Sequence, residues 1–240
     1  MRLTASKIRF QGTRPEQQDT VNVLVLPGPG ETAALGVLTD GVGGLANGAV
    51  VSAFVNEHVS AVLSDIGKSR KIDQVNPDWL SQAAQSADQA LAGHQVQQAL
   101  GNSGTTLLIL LSAGAVCHYL SVGDSLIYTQ DSRGQLQQMN TLHTTVVEGR
   151  SVLTSAVMGT GIAMIDTGSI SIDSSDTRRI LLSSDGIGTF PDADLAALLH
   201  KPSDSKLRDI VNAVAAISSE HQDNLSMILF EFDPYTAMEG

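Results

Sequence analysis

The alternation of hydrophobic and polar positions predicts short strands first and then two consecutive helices. β-Rich runs separated by Gly and Pro turn signals predict strands at 4–10, 21–26 and 34–38. Apolar residues then recur at helical spacing over 45–63, and 77–100 is rich in Ala, Gln and Leu. Asn76 is the predicted N-cap of the second helix, with Pro77 as its first residue.

The rest of the chain repeats this order of strands and helices. Strands are predicted at 105–111, 116–122 and 126–130, and the turn 131–134 leads into a strand at 135–139. The segment 141–168 has no clear period, and strands resume at 169–172 and 179–183. Helices at 192–200 and 204–217 and a strand at 225–232 complete the chain. This order predicts an α+β fold of antiparallel sheets covered by helices, in a single domain over 1–240.

Composition and charge exclude several classes of protein. The 14 Lys and Arg against 25 Asp and Glu give a net charge of −11, which would repel nucleic acid and anionic membrane surfaces. Cys117 is the one cysteine, so the chain has no intrachain disulfide and no CxxC site. No apolar run is long enough for a membrane span, and the first residues lack the apolar core of a signal peptide. We therefore expect a cytoplasmic protein.

Acidic residues stand at the ends of several predicted strands, three of them beside a glycine. A single Asp-Gly pair is typical of a turn and carries no further meaning. Four carboxylates at the ends of neighbouring buried strands can instead converge on one point, where oxygen ligands suit Mg²⁺ or Mn²⁺. From the residues alone, both interpretations stay open for Asp40, Asp124, Asp185 and Asp223.

Arg14 lies five residues before Asp19, ahead of the second predicted strand. Its planar guanidinium can hold a phosphate group through two hydrogen bonds. An arginine near the N-terminus is also commonly a solvated surface residue. The residues alone do not decide between these roles.

Seven short motifs in a fixed order resemble the metal-dependent protein serine/threonine phosphatases of the protein phosphatase 2C type, in their bacterial stand-alone form. The motifs extend over most of the chain, and the ordered set is more specific than any one of them. They are Arg14 to Asp19, Asp40-Gly-Val-Gly-Gly44, Gly104-Thr-Thr106, Gly123-Asp-Ser125, Leu153 to Gly159, Ser184-Asp-Gly186 and Asp223-Asn224.

The resemblance implies a four-layer α-β-β-α sandwich, with two central antiparallel sheets flanked by helix pairs. It also implies a site for two Mn²⁺ or Mg²⁺ ions and a possible third. Asp40 would bridge both ions and Gly41 would offer its carbonyl to one of them. Asp185 and Asp223 would hold the other ion, and Asp124 would help to bind the third.

The same resemblance implies hydrolysis of phosphoserine and phosphothreonine on proteins by a metal-activated water, reversing a cognate serine/threonine kinase. Asp19 would orient the metal-bound water, and Arg14 would clamp the substrate phosphate. The segment 141–158 would correspond to a flap beside the active site, where Arg150 is expected to contact a phosphorylated protein substrate.

The chain departs from the family pattern at four positions. Gln18 stands where many members have Glu, and Val42 stands where eukaryotic members have a His. Leu126 and Ser155 replace arginines often seen in the corresponding motifs. These departures leave open a phosphatase-like regulatory or phosphoprotein-binding module with little turnover.

The tetrapeptide Gly123-Asp-Ser-Leu126 also matches the signature of the GDSL esterases, in which the serine is the nucleophile. Those enzymes pair the serine with an Asp-x-x-His sequence near the C-terminus. No histidine of this chain has an aspartate three residues before it, so the partner base is missing. The esterase interpretation is therefore disfavoured.

Overall fold

The computed structural model describes residues 2–26, 33–42, 45, 47–69, 76–172, 176–188, 190–217 and 220–233. The helices in this part of the chain are α1 (Gly48–Ser69), α2 (Asp78–Gln98), α3 (Asp192–His200) and α4 (Lys206–Ile217), and Asp185–Ile187 forms a 3₁₀ turn. The strands are β1 (Arg2–Phe10), β2 (Asp19–Leu26), β3 (Ala33–Asp40), β4 (Leu107–Ala113), β5 (Val116–Val122), β6 (Leu126–Asp131), β7 (Leu136–Gln138), β8 (Thr144–Val147), β9 (Arg150–Leu153), β10 (Asp166–Ser171), β11 (Thr177–Ser183) and β12 (Leu225–Asp233).

Ten of these strands form two antiparallel sheets of five strands each. One sheet has the order β1-β12-β11-β6-β7, and the other has the order β10-β5-β4-β3-β2. Within the part of the chain that the structure describes, strands β8 and β9 pair with each other alone, as a separate hairpin. The final strand β12 lies between β1 and β11, so the two ends of the described chain meet in one sheet.

Three apolar clusters hold four layers together. Between the two sheets, Leu108 and Leu110 pack in the same cluster as Ile228 and Phe230. Helices α1 and α2 cover the outer face of one sheet, and α3 and α4 cover the other. The structure confirms the predicted α+β, four-layer arrangement.

Strands β3 and β4 are apolar at nearly every position because both faces of their sheet are covered. Leu107 and Ile109 face the α1–α2 cluster, while Leu108 and Leu110 face the other sheet. Burying both faces in this way gives a continuous apolar run instead of an alternating one. The apolar runs end at Leu38 and Leu111, and each strand continues for two more residues.

The segment 141–168, which shows no period, contains the β8–β9 hairpin and the first residues of β10. Most of the hairpin is exposed, so packing imposes no alternation on its sequence. Strand β10 is an edge strand that begins at Asp166, three residues before its predicted start at 169. Its first four residues are exposed or partly buried, so they carry no apolar pattern from which the start could be predicted.

Two predicted helix starts also shift. Helix α1 begins at Gly48 rather than at 45, and α4 begins at Lys206 rather than at 204. At α2 the N-cap position is Pro77 and not Asn76. The Asn76 side chain still accepts a hydrogen bond from the Asp78 N–H at 2.9 Å, so it satisfies one free donor of the first turn. None of the helices in the described part of the chain is long and apolar enough to span a bilayer.

Candidate active site

The predicted aspartates converge at one end of the sandwich. Strand β3 ends at Asp40, which lies opposite Asp19 at the start of β2. Asp185 follows the end of β11, and Asp223 precedes β12. Four of the five predicted aspartates open onto a cavity of about 930 Å³, whose lining includes Arg14, Asp40, Gly41, Asp124, Asp185 and Asp223.

The backbone of Asp40 is held in place by two threonines. Its carbonyl accepts hydrogen bonds from the Thr106 N–H and the Thr105 hydroxyl, each at 2.8 Å. Its N–H donates to Thr106 Oγ1 at 3.1 Å. The Thr106 hydroxyl also contacts the buried Ser125 hydroxyl at 2.9 Å, which gives Ser125 a structural role. These bonds fix the strand end from which the Asp40 carboxylate projects.

Asp19 lies fully buried behind Asp40 and does not line the cavity. Its Oδ2 accepts a hydrogen bond from the Ser184 hydroxyl at 2.9 Å, and Ser184 Oγ in turn accepts one from the Ser226 N–H at 2.9 Å. Its other oxygen, Oδ1, is buried and has no hydrogen-bond partner among the described residues. A buried carboxylate oxygen without a partner is costly and indicates a ligand, an ion or a water.

Two glycines permit the close chain approaches around the cavity. A side chain at Gly186 would place its Cβ 1.8 Å from the Asn224 carbonyl oxygen, so only glycine fits beside β12. Gly123 has a φ of +105°, a conformation that side chains disfavour. The buried His143 holds this turn, because its Nδ1 accepts from the Gly123 N–H at 3.1 Å. Asp124 follows directly and is thereby aimed into the cavity.

Burial disfavours the charged form of these carboxylates, and their mutual repulsion adds to that effect. Desolvation, followed by the charges of Asp19 and Asp185, raises the pKa of Asp40 well above its usual value. Desolvation also raises the pKa values of Asp19 and Asp124. The pKa of Asp185 rises to about 7, chiefly through desolvation and then through the charges of Asp124 and Asp223. Asp185 is open to the cavity, but the surrounding protein and carboxylates still limit its solvation.

This donor set fits hard divalent cations. The side chains around the cavity supply carboxylate oxygens, which suit Mg²⁺ and Mn²⁺. Across the described residues, no three acidic, histidine or cysteine side chains form a ready-made cage for one ion. Mg²⁺ usually keeps several waters and takes only one or two carboxylates, so a closed protein cage is not required. The partnerless Asp19 Oδ1 and the mutual repulsion of the aspartates are consistent with cations at this position.

Arg14 reaches the cluster from the β1–β2 connection. Its Nη2 donates to Asp223 Oδ2 at 2.5 Å, and both side chains remain substantially exposed. Asn224 holds this connection to β12: its Oδ1 accepts from the Gln18 N–H at 2.7 Å, and its Nδ2 donates to the Gln11 and Glu16 carbonyls. The structure thus brings the predicted phosphate-binding arginine into contact with a predicted metal ligand.

The remaining predicted positions differ in whether they line the cavity. Arg150 begins strand β9 and is exposed, and it does not line the cavity, although the next residue, Ser151, does. Gly43 and Gly44 lie outside the described residues. Gln18 lines the cavity, and its side chain donates to Glu16 at 3.2 Å.

The sequence motifs contained several site residues whose function was not predicted. Thr105, Thr106, Ser184 and Asn224 all belong to the quoted motifs, and each positions an aspartate or the Arg14 segment. The sequence feature that could have indicated them is their position in the same motifs as the aspartates or in neighbouring ones. Their specific roles depend on contacts between residues as far apart as 11 and 224.

Comparison with known proteins identifies the class to which this fold and site belong. The family model described as protein phosphatase 2C matches residues 16–229. The chain therefore belongs to the protein phosphatase 2C family, and its enzyme class is protein serine/threonine phosphatase. A comparison with curated proteins found no significant match.

Solved structures share the fold at low sequence identity. The serine/threonine phosphatase from Staphylococcus aureus is 21% identical, with a TM-score of 0.81 over 98% of this chain and 96% of that one. The Mycobacterium tuberculosis serine/threonine phosphatase PstP is 21% identical, with a TM-score of 0.76 over 97% and 99%. The serine/threonine phosphatase of S. agalactiae is 17% identical, with a TM-score of 0.80 over 97% and 100%.

Proposed function

We propose that this chain is a single-domain, metal-dependent phosphatase that hydrolyses phosphoserine and phosphothreonine on protein substrates. The observation that carries the proposal is the cluster of Asp40, Asp185 and Asp19, in which burial and mutual repulsion act on carboxylates beside a large open cavity. Arg14 lies at the same cavity and supplies the only type of side chain that grips a phosphate with a planar fork.

The donor set supports two Mn²⁺ or Mg²⁺ ions, with a possible third. Asp40, the Gly41 carbonyl, Asp185 and Asp223 would hold the two ions, and Asp124 would help to hold the third. Bound divalent cations acidify water and neutralise charge on phosphoryl oxygens, which is the chemistry that phosphate-ester hydrolysis needs.

The residues of the chain then have separate tasks. A cation at Asp223 would compete with the Arg14 guanidinium, which would turn from that carboxylate toward the phosphoryl oxygens of the substrate. Asp19, fixed through its Oδ2 by Ser184, lies behind Asp40 and outside the cavity lining, so it would help to orient the attacking water from behind the residues that hold the ions. The threonines that clamp the Asp40 backbone would keep its carboxylate aimed at the cavity.

The substrate implies a partner. A phosphoester on a serine or threonine side chain is produced by phosphoryl transfer from a nucleotide, which is the reaction of a protein kinase. We place this enzyme opposite a cognate serine/threonine kinase, acting in the cytoplasm on the proteins that the kinase modifies.

Turnover of p-nitrophenyl phosphate and of a phosphothreonine peptide tests the proposal, with Mn²⁺ added and with EDTA. We expect hydrolysis of both substrates that requires the metal and falls by several orders of magnitude in Asp40→Asn. Asp233→Asn is the control, because Asp233 is exposed at the opposite end of β12. Mn²⁺ binding without turnover would instead favour the binding-module alternative, and no Mn²⁺ binding would refute the site.

A further inference from the structure

A buried carboxylate outside the aspartate cluster holds one wall of the cavity. Asp88 lies on α2 and is 5% exposed. Its Oδ1 accepts hydrogen bonds from the N–H groups of Met158 and Gly159, at 3.0 and 2.8 Å. Its Oδ2 accepts from the N–H of Gly161 at 2.8 Å. One side chain therefore binds three backbone donors of a single loop.

The bound loop, residues 155–164, faces the cavity, and we call it the wall loop. Met158, Thr160 and Gly161 line the cavity on this side. Ser155 and Met164 join the two ends of the loop: the Ser155 hydroxyl donates to the Met164 carbonyl and accepts from the Met164 N–H. Its conformation is thus set within the loop, and its position is set by Asp88.

Helix α2 packs directly against the wall loop. A Cβ at Gly159 would lie 2.9 Å from the Ala92 backbone, so the loop rests directly on the helix. The helix itself is anchored in the core through fully buried residues such as Ala84 and Leu91. The three charge-assisted hydrogen bonds of Asp88 therefore hold the wall loop to a helix that is itself held by the core.

We propose that Asp88 is a positioning residue that fixes the wall loop as the surface against which the polypeptide of the substrate docks. This inference rests on the proposed function. A cavity of about 930 Å³ has room for a ligand of drug size, far larger than a phosphate group. The phosphate meets Arg14 and the aspartates, so the wall loop contacts the residues that flank the phosphorylated side chain.

The variant Asp88→Asn tests the proposal, because an amide offers one acceptor oxygen and turns an N–H₂ group toward an N–H donor. With Mn²⁺ present, kcat/KM for a phosphothreonine peptide should fall about tenfold or more, mainly through a higher KM. A tenfold loss corresponds to about 1.4 kcal/mol of free energy. Turnover of p-nitrophenyl phosphate should stay within about twofold. Asp78→Asn, exposed in the first turn of the same helix, is the matched control and should change neither.

Amide hydrogen exchange of the metal-free protein gives a readout independent of activity. Exchange in residues 155–164 should accelerate in Asp88→Asn and not in Asp78→Asn. A second variant, Gly161→Ala, strains the loop at a φ of +96° while its added methyl group meets open space. It should likewise accelerate exchange in residues 155–164 without altering exchange in α2.

Two results would overturn the proposal: equal losses on both substrates, or an unchanged peptide KM. If the wild-type protein turned over neither substrate, the proposed function would fail by itself. Binding of the uncleaved phosphopeptide then decides the role of Asp88. Affinity about tenfold weaker in Asp88→Asn supports it, and equal affinity refutes it.

Discussion

Replacing Asp185 with Asn should stabilise the metal-free protein at high pH. Its folded-state pKa is about 7, above the usual 3.8, so the folded protein holds this proton more tightly than the unfolded chain does. At a pH below both pKa values, Asp185 is protonated in the folded and in the unfolded protein, so it does not change the folding stability. As pH rises from about 4 to 7, the folded state loses stability, and the penalty is complete above 7. Asn carries no such penalty.

The size of this effect follows from the shift and the exposure. A shift of about three units would correspond to roughly 4 kcal/mol at 1.36 kcal/mol per unit. The Asp185 side chain is open to the cavity, where solvent screening reduces the figure to about 1–2 kcal/mol. For a chain of 240 residues, each kcal/mol moves the Tm by about 2–4 °C. The Asn variant should therefore melt about 2–8 °C higher at pH 8.

Thermal unfolding in EDTA at pH 8 and at pH 4.5 measures this difference. The gain should be present at pH 8 and mostly absent at pH 4.5. Asp233→Asn is the control and should shift little at either pH. Saturating Mn²⁺ should reverse the order of the two proteins at pH 8, because the wild type alone keeps the full ligand set. A lower Tm for Asp185→Asn in EDTA at pH 8, or a gain independent of pH, would refute the reasoning.

Substitutions at three further positions, with a control at Gly93, test other parts of the site. Arg14→Ala should raise KM for p-nitrophenyl phosphate about tenfold in steady-state kinetics, and Arg14→Lys should recover only part of it, because the fork is lost; equal KM values would contradict this. Ser184→Ala should cost about 1–3 kcal/mol in urea unfolding, because it leaves the Ser226 N–H and Asp19 Oδ2 without their partner; an unchanged midpoint would contradict the bridge. Gly186→Ala should strongly lower the Tm, whereas Gly93→Ala, in open space on α2, should raise stability by about 0.5–1 kcal/mol.

Elements with strong packing constraints could be predicted from the sequence. Strands β4 and β12 are buried on both faces, and their apolar runs stop at the observed strand ends to within two residues. The β8–β9 hairpin escaped prediction because exposed strands such as Thr144–Val147 carry no packing signal. The start of α1 differs by three residues from the apolar pattern, since Asn47 at a φ of +62° interrupts the helical conformation before it.

The site could be predicted as a set of residue types but not as a set of contacts. Aspartates beside strand ends are visible along the chain, and the antiparallel order brings Asp19 opposite Asp40. The ion pair of Arg14 and Asp223 joins residues 209 positions apart, which no local pattern encodes. Asp88 carried no sequence signal, because an aspartate on a helix is ordinarily solvated and its three partners lie 70 to 73 residues away.

The repulsion at the acidic end of the sandwich links stability to ion binding. The folded protein keeps several carboxylates near one another although desolvation and mutual charge raise their pKa values. Core packing of strands such as β3 and β12 supplies the free energy that holds them there. An ion present at 100 times its Kd adds about 2.7 kcal/mol to folding stability, which exceeds the discounted penalty at Asp185. Ion binding therefore both adds its own free energy and relieves the repulsion, and both effects raise the Tm. The Tm of the wild-type protein should rise with Mn²⁺ concentration most steeply above pH 7.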